Sequence, residues 1–545
     1  MPARRPYIIG LVIVVAVLIA INGYYFWRSQ TPTFWDDSSY LRASLDLYDA
    51  LTDHGIAGFS VAFAHLLGTK APLICAFPIP VYLLLGRGGD PRFLVGIGFL
   101  ILMSVYLFWI GERLWSPKEG LLTVVVLQTM PLMYGLSRQF LVDYGLATMA
   151  VMWMYYLMCF RPLSNSGTIV RLGVLLGVGM LMKVTFPLYI IAPTLVIVWY
   201  SFREAPSLRD ALKTGRSLAC VVLIGGIVAS SWYLFNWRSI LGFAVSAGFG
   251  TLAIDYGSAN VFAPSVVLEY ATKVINLALS CYYGVLLLFL TPIWVLRTWP
   301  KILKQNRSTL ALLFWLAVPL AVTTFSINKD ARYVAPALPA IALGLARLMT
   351  DAFGRKPFFR WGAALLLVVP ILAYSSASLP AFGVLGELRL GRWVFWSPHL
   401  EWYATVPDNA GAWGQREIVE TICRDAQPMQ PDARVFIPLQ HQYLNNENLA
   451  YVSKSLKCGV QIIGLPEMHA PKEVADWIQG VKPAYVLVIP VVPDPELAPP
   501  FANTMKNEAE AIVTRPDSGF SVMYRGSLGR SGKEIFIYRR ELNGT

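Results

Sequence analysis

Apolar segments of about 20 residues recur along the first two thirds of the chain, each long enough to cross a bilayer as a helix. The first runs from residue 7 to residue 27 (YIIGLVIVVAVLIAINGYYFW). Hydropathy predicts further spans centred near residues 102, 128, 150, 176, 193, 227, 288, 318, 341 and 369. In lipid every backbone polar group must be satisfied within the chain, which restricts spanning structures to helices and closed barrels. Segments this long select helices. The run 72–86 (PLICAFPIPVYLLLG) is short and broken by Pro78 and Pro80, which predicts an interfacial or re-entrant helix rather than another crossing. The expectation is a polytopic α-helical membrane protein with about 11 to 13 transmembrane helices. With 56% hydrophobic and 14% charged residues and a mean hydropathy of +0.52, a soluble enzyme is excluded.

Orientation follows from the basic residues. Arg4 and Arg5 precede the first span and stay cytoplasmic by the positive-inside rule. The alternate loops then carry Arg113 and Lys118; Arg161 and Arg171; Arg203, Arg209, Lys213 and Arg216; Arg297, Lys301, Lys304 and Arg307; and Arg355, Lys356 and Arg360. Every loop expected inside is basic. The first span lacks a small-residue cleavage site and is read as a retained anchor in the cell membrane. The net charge of +12 is spread over these loops, which gives no nucleic-acid footprint.

Residues 1–380 are thus expected to form the membrane domain, with a long first extracytoplasmic loop at 28–92. Beyond about residue 380 the chain changes character. Strand-like runs at 433–439, 459–465, 485–489 and 534–540 and a helix-like KEVADWIQGV predict an α/β domain over 381–545, outside the membrane. Cys75, Cys159, Cys220 and Cys281 fall in apolar stretches without metal-ligand spacing. Cys423 and Cys458 lie in the outer domain, where a disulfide is permitted.

The outer face gathers a mixed set of charges. Asp36 and Asp37, in WDDSSY, follow the first span directly. Adjacent carboxylates raise each other's pKa, which suits one of them to accept a proton. The competing role is an N-cap for a helix beginning at Ser38. Lys70, in GTKAPL, is placed to hold a phosphate at the interface, or to snorkel. Lys329, Arg332 and Tyr333, in NKDARY, put two cations and a phenol at the start of a span, where they suit a phosphate leaving group unless Asp330 neutralises them. Arg138 and Asp143 flank a helix start, and Lys183 sits between two spans, where burial demands an anionic partner from protein or ligand. Phosphate-loop, HExxH and GxSxG patterns are absent, and no histidine pair has ligand spacing. No cofactor is required, while the adjacent aspartates permit a divalent metal.

An enzyme working outside the cytoplasm lacks nucleotide-activated donors, so its activated sugar must arrive on a lipid. Cations hold the lipid phosphate and a carboxylate activates the acceptor hydroxyl, which predicts a single displacement with inversion. Five segments, in order over roughly the first 350 residues, resemble the polyprenyl-phosphate-sugar-dependent glycosyltransferases of the GT-C superfamily, which includes protein mannosyltransferases and aminoarabinose transferases. They are WDDSSY, TKAPLICAFPIPVYLLLG, MPLMYGLSRQFLVDYGL, GVLLGVGMLMKVTFPLYIIAP and KDARYVAPALPAIALGLA. The resemblance implies Asp36 as catalytic base beside Asp37, and Lys70, Lys329, Arg332 and Tyr333 on the donor phosphate. It places Asp143 near the acceptor or the donor sugar, with Arg138 and Lys183 as further substrate-binding candidates. Asp37 stands where Glu is frequent and Ser39 where many members have Arg; Arg42, one turn on, is the candidate substitute. The implied partners are a polyprenyl-phosphate sugar, a lipid, glycan or protein acceptor, and membrane lipids. A transporter or flippase of a lipid-linked saccharide is the alternative, but it calls for charges near the midplane of broken helices.

Overall fold

The computed structural model describes residues 4–541 apart from 30–31, 162–165, 251–257, 259, 303–306, 354–361, 380–386, 398, 401–403, 406–412, 427–432, 467, 469, 494, 496–497, 499–502 and 530–531. Lys304, Arg355, Lys356 and Arg360 therefore lie outside the described residues. The chain forms two compact units, one of residues 1–26, 56–77 and 91–407 and one of residues 27–55, 78–90 and 408–545. The second begins at Trp27, directly after the first span and well before the composition changes at residue 380.

The first unit is helical. Its helices are α1 (Arg5–Arg28), the end of α2 (Trp35–His65), and, after the short α3 (Ile79–Leu85) of the other unit, α4 (Arg92–Leu114), α5 (Pro117–Gln128), α6 (Pro131–Leu136) and α7 (Val142–Met158). Then follow α8 (Ser166–Met182), α9 (Phe186–Arg203), α10 (Leu208–Phe249), α11 (Pro264–Lys273), α12 (Cys281–Ile302), α13 (Arg307–Thr324), α14 (Leu338–Phe353) and α15 (Gly362–Ser376). Every span centre expected from hydropathy falls in or at the end of one of these helices. Among the described residues six helices are individually long and apolar enough to cross a bilayer, so this is a multi-pass membrane protein.

Several expected spans are shorter or broken, each for a local reason. The segment near residue 128 divides into α5 and α6 where Pro131 cannot continue the ladder. The run at 72–86 becomes a 3₁₀ turn (Leu73–Ala76) and the seven-residue α3, too short to cross. Before α12 the chain bends by 104° at Ser280, whose φ of 74° ends a π-helical turn (Val274–Leu279).

Packing of α8 on α10 explains the glycine-rich span. A Cβ on Gly173 or Gly177 would come within 2.6 Å of Ile224 or 2.4 Å of Val228, so these glycines let the two backbones approach.

The C-terminal part of the second unit is a five-stranded sheet flanked by helices. Strands β3 (Arg434–Ile437), β4 (Gln461–Gly464) and β5 (Tyr485–Val488) are parallel, while β6 (Phe520–Leu528) and β7 (Lys533–Arg540) add antiparallel, in the order β4-β3-β5-β7-β6. Two strands of the first unit, β1 (Leu388–Leu390) and β2 (Trp393–Trp396), form a separate hairpin. Side chains alternate across the sheet. Val435, Ile437, Tyr485 and Leu487 pack under α16 (Gln415–Ala426) and α17 (Asn446–Ser455). Phe436, Val486 and Val488 pack under α18 (Pro471–Val481) and α19 (Lys506–Thr514). Burial on both faces accounts for strands as uniformly apolar as YVLV. Cys423 on α16 and Cys458, just beyond α17, form a disulfide with Cα atoms 6.0 Å apart.

Candidate active site

In the first unit, four elements bring charged and phenolic groups together. Asp143 lies in the first turn of α7, where the helix dipole favours a carboxylate. Its side chain is 1% exposed and accepts a hydrogen bond from Lys183 Nζ at 2.7 Å. Lys183 follows the last residue of α8, so the end of the glycine-rich helix delivers this cation. The same ammonium stands 4.8 Å from the centre of the Tyr333 ring. Tyr333 is fixed at its other end as well: its carbonyl accepts from Tyr189 Oη on α9 at 2.9 Å, and its hydroxyl accepts from Asn328 Nδ2 at 3.3 Å.

The loop before Tyr333 carries the remaining cations. Asp330 caps the 3₁₀ turn Ala331–Ala337 by accepting from the Arg332 amide at 2.9 Å, and pairs with the Arg332 guanidinium at 2.7 Å. Lys329 hydrogen-bonds the Thr324 carbonyl and stands 5.2 Å from the Tyr270 ring centre on α11. Partial burial lowers its pKa below the ordinary lysine value. Lys70 sits half-buried just before the 3₁₀ turn at residue 73. Its neighbour Ala71 packs on Leu181 and Trp232, which ties this segment to the end of α8. Asp143, Lys183, Tyr333 and the Lys329–Arg332 loop thus converge, and Lys70 belongs to the segment beside α8.

Arg138 keeps different company. It is 4% exposed, donates to Asn22 Oδ1 at 3.1 Å and to Ser378 Oγ, and lies among Tyr25, Tyr134 and Tyr374 with ring centres 4.5, 5.2 and 5.6 Å away. None of these partners is shared with Asp143. Cation–π contacts and hydrogen bonds make Arg138 a tie between α1, α6 and α15.

The acidic pair belongs to the second unit. The helix α2 begins at Trp35 rather than Ser38, so Asp36 and Asp37 lie in its first turn and neither is its cap. Asp37 is 1% exposed; Asp36 is partly accessible. The backbone of α2 breaks at Gly55, whose φ of 65° favours glycine. The unit boundary falls there.

One face of α2 is held by the α/β domain. Arg42 pairs with Glu447 at 3.1 Å, and Lys454 reaches Asp46 at 2.8 Å and Asp49 at 3.1 Å. Arg87 pairs with Asp49 and donates to the Lys454 carbonyl at 2.9 Å. Residues 42, 46 and 49 lie on one stripe of α2, and Glu447 and Lys454 are two turns apart on α17. Sequence reasoning missed Asp46, Asp49, Arg87, Glu447 and Lys454. The i, i+4, i+7 charge pattern of α2 was the available signal. Arg42, the candidate replacement for a phosphate-binding arginine, is engaged in this clasp. Among the described residues, no three His, Cys, Asp or Glu side chains gather as a metal site.

The family model for dolichyl-phosphate-mannose-protein mannosyltransferases matches residues 69–232, the stretch that holds Lys70, Arg138, Asp143 and Lys183. No functionally curated protein matches the sequence. Among solved structures, ArnT from Cupriavidus metallidurans bound to undecaprenyl phosphate is similar, with a TM-score of 0.60 at 15% identity over 98% of each chain. Its apo form gives 0.58 at 14% identity over 98% of each chain. The oligosaccharyltransferase of Archaeoglobus fulgidus in its apo form gives 0.51 at 11% identity, over 98% of this chain and 75% of that one. Helix arrangement, α/β domain and these likenesses agree: the chain is a polytopic membrane protein with the fold seen in ArnT and in the archaeal oligosaccharyltransferase.

Proposed function

We propose that the protein transfers a sugar from a polyprenyl-phosphate donor to a hydroxyl of an extracytoplasmic lipid, glycan or protein acceptor, with inversion. The observation that carries this reading is the run of contacts from Asp143 to Lys183 and from Lys183 to Tyr333, with Lys329 and Arg332 on the loop that leads into Tyr333. Asp36 takes the acceptor proton as the acceptor oxygen bonds to the anomeric carbon. The bond from that carbon to the phosphate oxygen breaks, and the polyprenyl phosphate leaves with the electron pair. Cations stabilise the charge that develops on the phosphate, so no general acid is needed. Lys70, Lys329, Arg332 and Tyr333 serve the phosphate, while Asp143 and Lys183 serve the sugar. The similar ArnT structure holds undecaprenyl phosphate, which supports a lipid-phosphate donor. The Cys423–Cys458 disulfide supports an oxidising, extracytoplasmic setting for the α/β domain that holds it.

The test is Asp36→Asn in proteoliposomes supplied with polyprenyl-phosphate sugars. Loss of a general base lowers transfer by about 10²–10⁴-fold, while binding of the lipid donor stays near wild type. Full transfer by Asp36→Asn overturns the assignment. Normal movement of lipid-linked sugar across the bilayer without transfer would favour a flippase.

A further inference from the structure

Outside the charged cluster of the first unit, a cavity of about 580 Å³ opens between α11, the π-helical turn and the β1–β2 hairpin. The walls are built from both sides. Helix α11 and the turn are two-faced: Tyr270 and Val274 point into the core, while Ser265, Leu268, Glu269, Thr272, Lys273 and Asn276 line the cavity. The hairpin contributes Arg389, Arg392 and Val394.

The hairpin is docked by specific bonds. Asn276 donates to the Arg392 carbonyl at 2.8 Å and accepts from the Val394 amide at 3.1 Å. Ser280, at the 104° break, donates to the Phe395 carbonyl at 2.7 Å. The cavity is therefore a consequence of the broken helix. Irregular backbone at membrane depth is tolerated where it lines a cavity, and a volume of this size lies in the range of ligand sites.

The lining has two characters. Leu268, Leu277 and Val394 supply an apolar wall, and Lys273, Arg389 and Arg392 supply three cations. Glu269 is the acidic residue of the lining, and Glu387 pairs with Arg389 at 2.6 Å. Among the described residues, that leaves Lys273 and Arg392 to balance Glu269 and hold one further negative charge. Exposed Leu388, Leu390 and Phe262, at 45, 70 and 75%, lie on the segments that frame it. We propose that this cavity binds a phosphate-bearing amphiphile, the head group against Lys273 and Arg392 and part of its chain against Leu268, Leu277 and Val394. A phosphate alone would fill a small part of the volume, and an uncharged lipid would leave one positive charge of the described lining uncompensated.

The proposal is independent of the transfer reaction, and its test needs no catalysis. The full-length protein is placed in nanodiscs with phosphatidylglycerol and phosphatidylcholine in equal amounts, and retained lipid is read by native mass spectrometry. Wild type retains phosphatidylglycerol preferentially. Lys273→Gln with Arg392→Gln loses the preference by about fivefold per cation removed. Leu268→Trp, which fills the cavity and keeps its charge, also lowers retention. Both changes are at surface-lining positions that leave the Asn276 and Ser280 bonds in place, and circular dichroism verifies the helical content. Unchanged retention in both variants overturns the proposal. So does displacement of the lipid by millimolar inorganic phosphate, which would identify the ligand as a free anion.

Discussion

Asp143 and Lys183 are held 2.7 Å apart with the carboxylate almost fully buried, and removal of one partner leaves the other charge uncompensated. Lys183→Met is expected to destabilise the protein by about 3 kcal/mol, whereas Asp143→Leu with Lys183→Met recovers most of that loss. Thermal unfolding in detergent measures both. If the pair also meets substrate, the stabilised double variant still transfers no sugar, which separates support from chemistry. The need for this partnership was legible in the sequence, because a lysine between two spans requires an anion. The fate of Arg42 was not. Its partner Glu447 lies 405 residues further on, and no local spacing shows such a pairing. The neighbours of Arg138 were equally illegible: three tyrosines placed by distant segments surround it.

At the level of elements, hydropathy located the spans because each is uniformly apolar over most of its length. It located breaks less well. The divisions at Pro131 and Ser280 depend on prolines and neighbouring helices, which a sliding average smooths away. In the α/β domain the buried strands were readable as apolar runs, while β6 was missed, since its exposed positions interrupt any alternation. The helix α17 was missed for a different reason. Its asparagines read as loop residues, yet Asn445 caps the helix by accepting from the Glu447 and Asn448 amides. Glycine-rich α8 yields an element-scale prediction. Gly177→Leu forces its side chain into Val228 and costs about 1–3 kcal/mol, while Gly226→Ala, which meets nothing within 4 Å, is neutral. Unfolding temperature of the two variants checks the packing face.

Over the whole molecule, the ion network of the second unit joins residues 42–49 to residues 447–454. Single exposed pairs contribute about 0.2–1 kcal/mol, so the network acts through its number. Lys454→Glu is expected to raise hydrogen exchange along residues 35–55, and Asp46→Lys in that background restores protection while leaving the Arg87–Asp49 pair in place. Exchange measured by mass spectrometry decides this. Burial lowers the pKa of Lys454, but bonds and charges from Asp46 and Asp49 outweigh it and raise the value above that of an ordinary lysine. A raised lysine stabilises the fold below its unfolded value and loses that contribution as pH climbs through its folded one. The Lys454 contribution therefore persists at neutral pH and disappears only in strongly alkaline solution.

The clasp also imposes an order on biogenesis. Ribosomes release the acidic-pair helix early, hundreds of codons before Glu447 and Lys454 exist. Until the α/β domain is made and folded, that helix lacks its restraints. A nascent chain stalled short of α17 would carry both aspartates yet hold them loosely, so the acidic-pair helix reaches its final restraint only in the finished molecule.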